Sequence, residues 1–191
     1  MNLPTNSVDD IIVSPVEPGR ARDPRAERLA FLALSDVLAR EPANAVQRLV
    51  EAALELTHST SAGVSVHDQQ DGEDIFRWVA VAGELRPYLN AALPRHLSPC
   101  GVTVSRATTL VMRDPERFFG ASPDLPIVIK SALLVPFAKQ ARVIGTLWVL
   151  SSSPEKAYSV DDVQIVERLL AFSSSLLDAW LRRRERYGTN P

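Results

Sequence analysis

The spacing of apolar residues changes at Ser61, and the change restricts the architectures open to the chain. Before it, Val46, Leu49, Val50, Ala53, Leu54 and Thr57 recur at steps of three and four, on one face of a helix opened by Pro42. From Ser61 onward, Ala62, Val64 and Val66 alternate with Gly63, Ser65 and His67, the period of a strand whose two faces differ. Asp71 and Gly72 then supply turn chemistry, and Phe76, Trp78 and Ala80 alternate with Arg77, Val79 and Val81. Ala132 to Phe137 and Arg142 to Leu150 repeat the arrangement across a short Ala138 to Ala141 connection. Connections this short join antiparallel neighbours. The expected class is therefore α+β, with a central antiparallel sheet built of hairpins.

Helices flank the sheet in sequence. Asp23 followed by Pro24 reads as an N-cap with proline at the first helical position, opening a helix to about Arg40. It carries Leu29, Leu32, Ala33 and Val37 on one side and Phe31, Leu34 and Leu38 beside them, a stripe wider than a surface helix usually shows. The terminal helix starts at a Ser159 cap with Asp162 at its third position and ends in the cationic LRRRER. Val163, Val166, Leu170, Ser173, Leu177 and Trp180 form one row on it, and Ile165, Leu169, Phe172 and Leu176 a second. One row can cover the sheet. The other serves either a helical dimer seam or a wide core-facing stripe, and Leu34, Leu38, Leu170, Leu177 and Trp180 are the expected homodimer contacts. Residues 1–22 mix Pro, Gly and charges around a small apolar island, Ile11 to Val13, and read as a flexible arm. Residues 23–187 read as one domain that includes the terminal helices, and 188–191 as a tail.

Composition removes several functions. A formal net charge of −2 creates no field that would draw in nucleic acid or anionic lipid. The single cysteine cannot form an internal disulfide framework, and no secretory signal pattern opens the chain, so a cytoplasmic location is expected. No apolar run approaches the roughly 18 residues needed to cross a bilayer. No Ser-His-Asp arrangement, phosphate-cradling glycine loop or His-x-x-x-His helix appears, and His58, His67 and His96 with one cysteine give no metal-ligand spacing. Neither a catalytic residue nor a metal site is expected.

The stretch from Arg95 to Phe119 concentrates the remaining chemistry. Ser98 and Pro99 repeat the cap-and-proline start, which puts Cys100 in the first turn of a short helix ending near Ala107. Unpaired amides there, with Arg95, His96 and Arg106 close in sequence, favour a thiolate or a bound anion; the alternative is an inert thiol packed as a small hydrophobe. Trp78 and Trp148 fall in strands, where they flank a planar ligand or fill the core. Phe119 anchors the irregular connection to the sheet, and Arg113 either meets an acidic ligand or stays solvated.

The order of these elements resembles a GAF domain, a sensory relative of the PAS fold, over about residues 25 to 187. The resemblance is carried by SALLVPFAKQARVIGTLWVLSSSPEKAYSVDDVQIVERLLAFSSSLLDAW, in which Pro136, Ile144, Gly145, Tyr158, Asp161 and Asp162 match the family's closing pattern. LSPCGVTVSRATTLVMRDPERFF is also similar to GAF modules found beside bacterial sensor histidine kinases. The resemblance implies helices on one face of the sheet and a ligand pocket on the other, to which Trp78, Arg95, His96, Cys100, Arg113, Phe119 and Trp148 are assigned. It implies a cytoplasmic signalling module that binds an unidentified small molecule or protein partner and relays the event through helical dimer contacts to a separate histidine kinase or other output protein. A degenerate GAF interaction module without ligand is the alternative. A thiol-dependent methionine sulfoxide reductase is a third reading, and the lone Cys100 would need an external thiol to resolve its oxidised form. Gly101 stands where bilin-binding members carry His after the cysteine, which counts against covalent bilin, and the cyclic-nucleotide signature is missing. Haem through His96 needs one axial ligand only, and nothing else in the chain supports it.

Overall fold

The computed structural model describes residues 7–17, 23–120, 127–139 and 142–187; the expected tail, 188–191, lies outside them. Among these residues seven strands form one sheet: β1 (Ile12–Val13), β2 (Ser61–Gln70), β3 (Glu73–Gly83), β4 (Ala92–Pro94), β5 (Leu110–Arg113), β6 (Ser131–Lys139) and β7 (Arg142–Ser151). Their order is β1-β5-β6-β7-β2-β3-β4, and every neighbouring pair is antiparallel. The β2–β3 hairpin turns at Asp71 and Gly72 with φ of 53° and 83°, the left-handed pair that lets a two-residue turn follow the twist of its strands.

Helices α1 (Pro24–Arg40), α2 (Ala45–Thr57), α5 (Val160–Phe172) and α6 (Ser174–Tyr187) share one core with one face of the sheet. Leu34, Leu49, Val50, Leu147, Val149 and Leu169 are fully buried there. Burial on this scale contributes roughly 1.5–3 kcal/mol per large side chain. The short helix α3 (Pro99–Arg106) covers the other face, where Ile11, Phe76, Trp78, Cys100, Met112 and Trp148 form a second core. The single turn α4 (Glu116–Phe119) follows β5. Helices on one face and the α3 segment on the other match the expected class.

Four expectations are corrected. First, Phe76, Trp78 and Ala80 do not share a face. Val64 pairs with Ala80 but Ser65 pairs with Trp78, so Val79 is the extra residue of a bulge. One inserted residue flips everything beyond it to the opposite side. Phe76 and Trp78 accordingly join the α3 core, and Ala80 the helix core. The carbonyl and amide of Trp78 are taken instead by Asn90 N–H and Ala91 C=O at 2.8 and 2.9 Å.

Second, the terminal helix is two helices. Its backbone turns at Ser173, whose N–H is shared between the Leu169 and Leu170 carbonyls at 3.1 Å each. Third, the expected dimer contacts Leu34, Leu170 and Leu177 are buried within the chain, and Leu38 and Trp180 are half-buried against the same core. The outward side of α1 is carried instead by Leu29 and Leu32, 55% and 59% exposed. Both apolar rows of the terminal segment face the core shared with the sheet, α1 and α2, except at Phe172, which is 43% exposed.

Fourth, the described part of the arm is packed. Ile12 and Val13 pair with Met112 and Val111, which makes β1 an edge strand of the sheet. Ile11 is 1% exposed in the α3 core. Its neighbours Val13 and Val16 stay 38% and 45% exposed, so the segment is held by the buried Ile11 with Val8 and Ile12 half-buried beside it. The apolar island at 11–13 is the reason: it has a greasy edge to complete. The other arm residues, 1–6 and 18–22, lie outside the described residues.

Candidate functional site beside Cys100

Alternation along β2 and β7 decides what lies under α3. Ala62, Val64 and Val66 point to the helices, which leaves Gly63 and Ser65 on the α3 side opposite Trp148 and Thr146 of β7. At Gly63 any Cβ would collide with the Trp148 ring and crowd the Ala80 carbonyl, so only glycine lets the indole lie across β2. Trp148 Nε1 donates to Ser65 Oγ at 2.8 Å, and the ring meets Trp78 at 5.2 Å between centroids, tilted by 55°.

Ser98 and Pro99 start α3 as the sequence predicts. Ser98 Oγ accepts from Cys100 N at 3.2 Å, and Ala107 ends the helix in the left-handed region with φ of 51°. Gly101 is required here for a different reason: a Cβ would strike the Arg95 carbonyl, so the preceding turn can rest against the helix. The Cys100 side chain points inward and is buried. Burial pushes its thiol above the usual range, and the hydroxyls of Ser65, Thr146 and Ser98 facing it offset only part of that shift. The sulfur is therefore a neutral thiol near neutral pH, with the hydroxyls of three fully buried residues around it. Thr146 Oγ1 makes no conventional hydrogen bond; a thiol is a weak partner and leaves it under-satisfied.

The residues assigned to a pocket therefore separate into groups. Trp78, Cys100 and Trp148 are brought together, with Phe119 half-buried against the same core and its ring edge-on to Phe118 at 5.0 Å. Arg95 and His96 line an open groove of about 480 Å³ on the solvent side of α3, with Glu73, Asp74, Ser105 and Arg106. There Arg95 donates to Ser105 Oγ at 3.0 Å, and Gln69 and His67 hold the Asp74 carboxyl below its usual range. Arg113 lies elsewhere and donates to the Pro154 carbonyl at 3.2 Å. Ser65, Ser98 and Thr146 were not assigned to the site from sequence. For Ser65 and Thr146 the signal is a small polar residue on the α3 side of β2 and β7, where core strands usually carry large apolar ones; Ser98 is legible only as the cap of α3.

The chemistry available at this cluster is uncharged: hydroxyls, a thiol, an indole N–H and aromatic faces. Such a set can orient a neutral ligand but offers no charged group to an anion. Among the described residues no group of three His, Cys, Asp or Glu could hold a metal, and no helix is long and apolar enough to cross a membrane.

The fold has many solved counterparts. The GAF domain of an Acinetobacter phosphoenolpyruvate-protein phosphotransferase is 15% identical with a TM-score of 0.67, covering 86% of this chain and 95% of that one. The reduced form of fRMsr from Staphylococcus aureus is 17% identical with a TM-score of 0.63, covering 83% and 99%. The second GAF domain of DevS from Mycobacterium smegmatis is 20% identical with a TM-score of 0.57, covering 76% and 99%. At these identities the likeness is one of fold. No curated protein sequence matches the chain at a significant level. The GAF domain family model matches residues 39–178, more than half of the chain. Strand order, helix placement and the match from the end of α1 to the start of α6 agree, and the chain belongs to the GAF domain family.

Proposed function

We propose that the chain is a cytoplasmic, non-enzymatic sensory module that takes an uncharged small molecule between α3 and the sheet beside Cys100. The event passes through the helical layer to a second copy and to a separate output protein, a histidine kinase being one such class. The observation that carries the reading is the Ser65, Thr146 and Cys100 cluster. Buried hydroxyls are costly inside a packed face, and Thr146 Oγ1 has no conventional partner. A hydrogen-bonding ligand would satisfy it.

A second reading follows from a different observation. Trp78 and Trp148 touch, and the face beneath α3 is filled by side chains. On that reading the module works by protein contact alone.

One variant separates the two. Thr146→Val removes the orphan hydroxyl at constant shape, so it should stabilise the empty fold by about 1 kcal/mol. On the sensory reading, a compound found by native mass spectrometry of freshly purified protein raises the wild-type unfolding temperature as RT ln(1 + [L]/Kd), and the variant loses most of that increase. A binder that protects wild type and variant equally sinks the sensory reading.

A further inference from the structure

The N-terminal segment joins the two faces of the sheet. Residues 8–10 form a turn capped by Ser7, whose Oγ accepts from Asp9 N at 3.2 Å. From this turn the Asp9 carboxylate reaches Arg106 at the end of α3, 2.7 Å away. Ile11 then enters the α3 core, and its carbonyl accepts from Arg113 N at 2.8 Å. The chain crosses the open edge of β5 as β1. At Val16 it meets the start of α5: Val16 N donates to the Tyr158 carbonyl at 3.0 Å, and Val16 O accepts from Val160 N at 2.9 Å. The first amides of a helix have no partner of their own. Ser159 Oγ serves Asp162 N at 3.1 Å, and Val16 serves Val160.

We propose that residues 7–17 are a releasable strap that couples α3 to the start of α5 across the sheet edge. Under this proposal, movement of α3 is transmitted to the output helices through the strap, and release of the strap loosens the Cys100 side. The proposal rests on the reading of that side as the ligand site for what it regulates, but the mechanical link stands or falls separately. Three features suit it to the task. It bonds both to the end of α3 and to the first turn of α5. Its grip is modest for an edge segment: two strand pairs, three further backbone hydrogen bonds, one fully buried side chain and the half-buried Val8 and Ile12. Its ion pair is on the surface, with Asp9 68% exposed, so it breaks without stranding a buried charge.

The single cysteine makes the test site-specific in the intact chain. Two readouts are followed: alkylation of Cys100 by iodoacetamide, and hydrogen exchange of the Val160 amide. Ile11→Asp and, more mildly, Asp9→Arg are compared with Val46→Ala, which weakens the helix core far from the strap. Ile11→Asp is expected to speed both readouts by at least about tenfold beyond the rates of Val46→Ala at matched unfolding temperature, because a local opening costs less free energy than global unfolding and is populated more often. Asp9→Arg, which leaves the buried anchor in place, is expected to give a smaller rise in both. Rates in the two strap variants no higher than in Val46→Ala overturn the strap. A rise at Cys100 with Val160 unchanged overturns the coupling. If the strap responds as expected but no compound slows Cys100 alkylation, the ligand reading fails and the link stands; the converse result separates them the other way.

Discussion

Above the ordinary thiol and phenol ranges, Cys100 and Tyr158 work against the fold. Burial raises both groups, Cys100 among the α3-side packing and Tyr158 on the helix side, where its hydroxyl is within 2.9 Å of Ser59 Oγ. The folded chain keeps both protons to higher pH than the unfolded chain does. The unfolded state therefore binds fewer protons in that window, and stability falls as pH rises past about 9. Unfolding temperature measured from pH 7 to 10.5 should decline, and the decline should be shallower in Cys100→Ala and in Tyr158→Phe. Equal slopes in all three proteins would mean other groups dominate. At pH 7 Tyr158→Phe should still cost about 1 kcal/mol, since it cuts the chain of hydroxyls from Tyr158 through Ser59 to Thr57.

The strands and helices show where local chemistry sufficed and where it did not. Gly63→Ala forces Trp148 off β2, an overpacking that should cost about 1–3 kcal/mol in urea denaturation. Ser159→Ala removes one half of a reciprocal cap, in which Asp162 Oδ2 accepts from Ser159 N at 2.9 Å; a loss of about 1 kcal/mol is expected. Elements of this kind were legible in the sequence. The caps at Asp23, Ser98 and Ser159, the Asp71–Gly72 turn and the alternation of β2 all depend on neighbours a few residues away. The bulge at Val79 was not legible, because its cause is the pairing of β3 with β2 and with the Asn90 segment. Nor was β1: an isolated Ile-Ile-Val has no pattern long enough to mark a strand, and only the unfilled edge of β5 gives it one. Cys100 was visible as a candidate, whereas its hydroxyl neighbours come from three separate segments and needed the register of β2 against β7.

For the whole molecule, the question is which helical surface meets a partner. Leu170 and Leu177 are structural, so a lysine at either should unfold the domain rather than separate subunits, visible as lost thermal cooperativity. Among the described residues, the large apolar side chains left exposed on the helical layer are Leu29, Leu32 and Phe172, the last 43% exposed. Phe31 meets Phe172 edge-on at 5.3 Å, and Arg168 reaches Glu27 at 2.8 Å, which ties α1 beside the end of α5. If the proposed homodimer uses this layer, Leu29→Lys with Leu32→Lys should lower the mass measured by light scattering to that of a monomer while the circular dichroism spectrum is kept. An unchanged mass would place the contact elsewhere.

The turn at Ser173 has a mechanical corollary. An unbroken rod would hand its axial roll to whatever follows, but α6 takes its heading from Leu176, Leu177 and Leu181, each lodged in the helix-side core. Leu177 N still donates to the Ser173 carbonyl at 2.9 Å, so a repacking of that trio would redirect α6, with Arg182 and Arg183 on it, by bending about Ser173 while Ser159 and Asp162 keep the start of α5 capped.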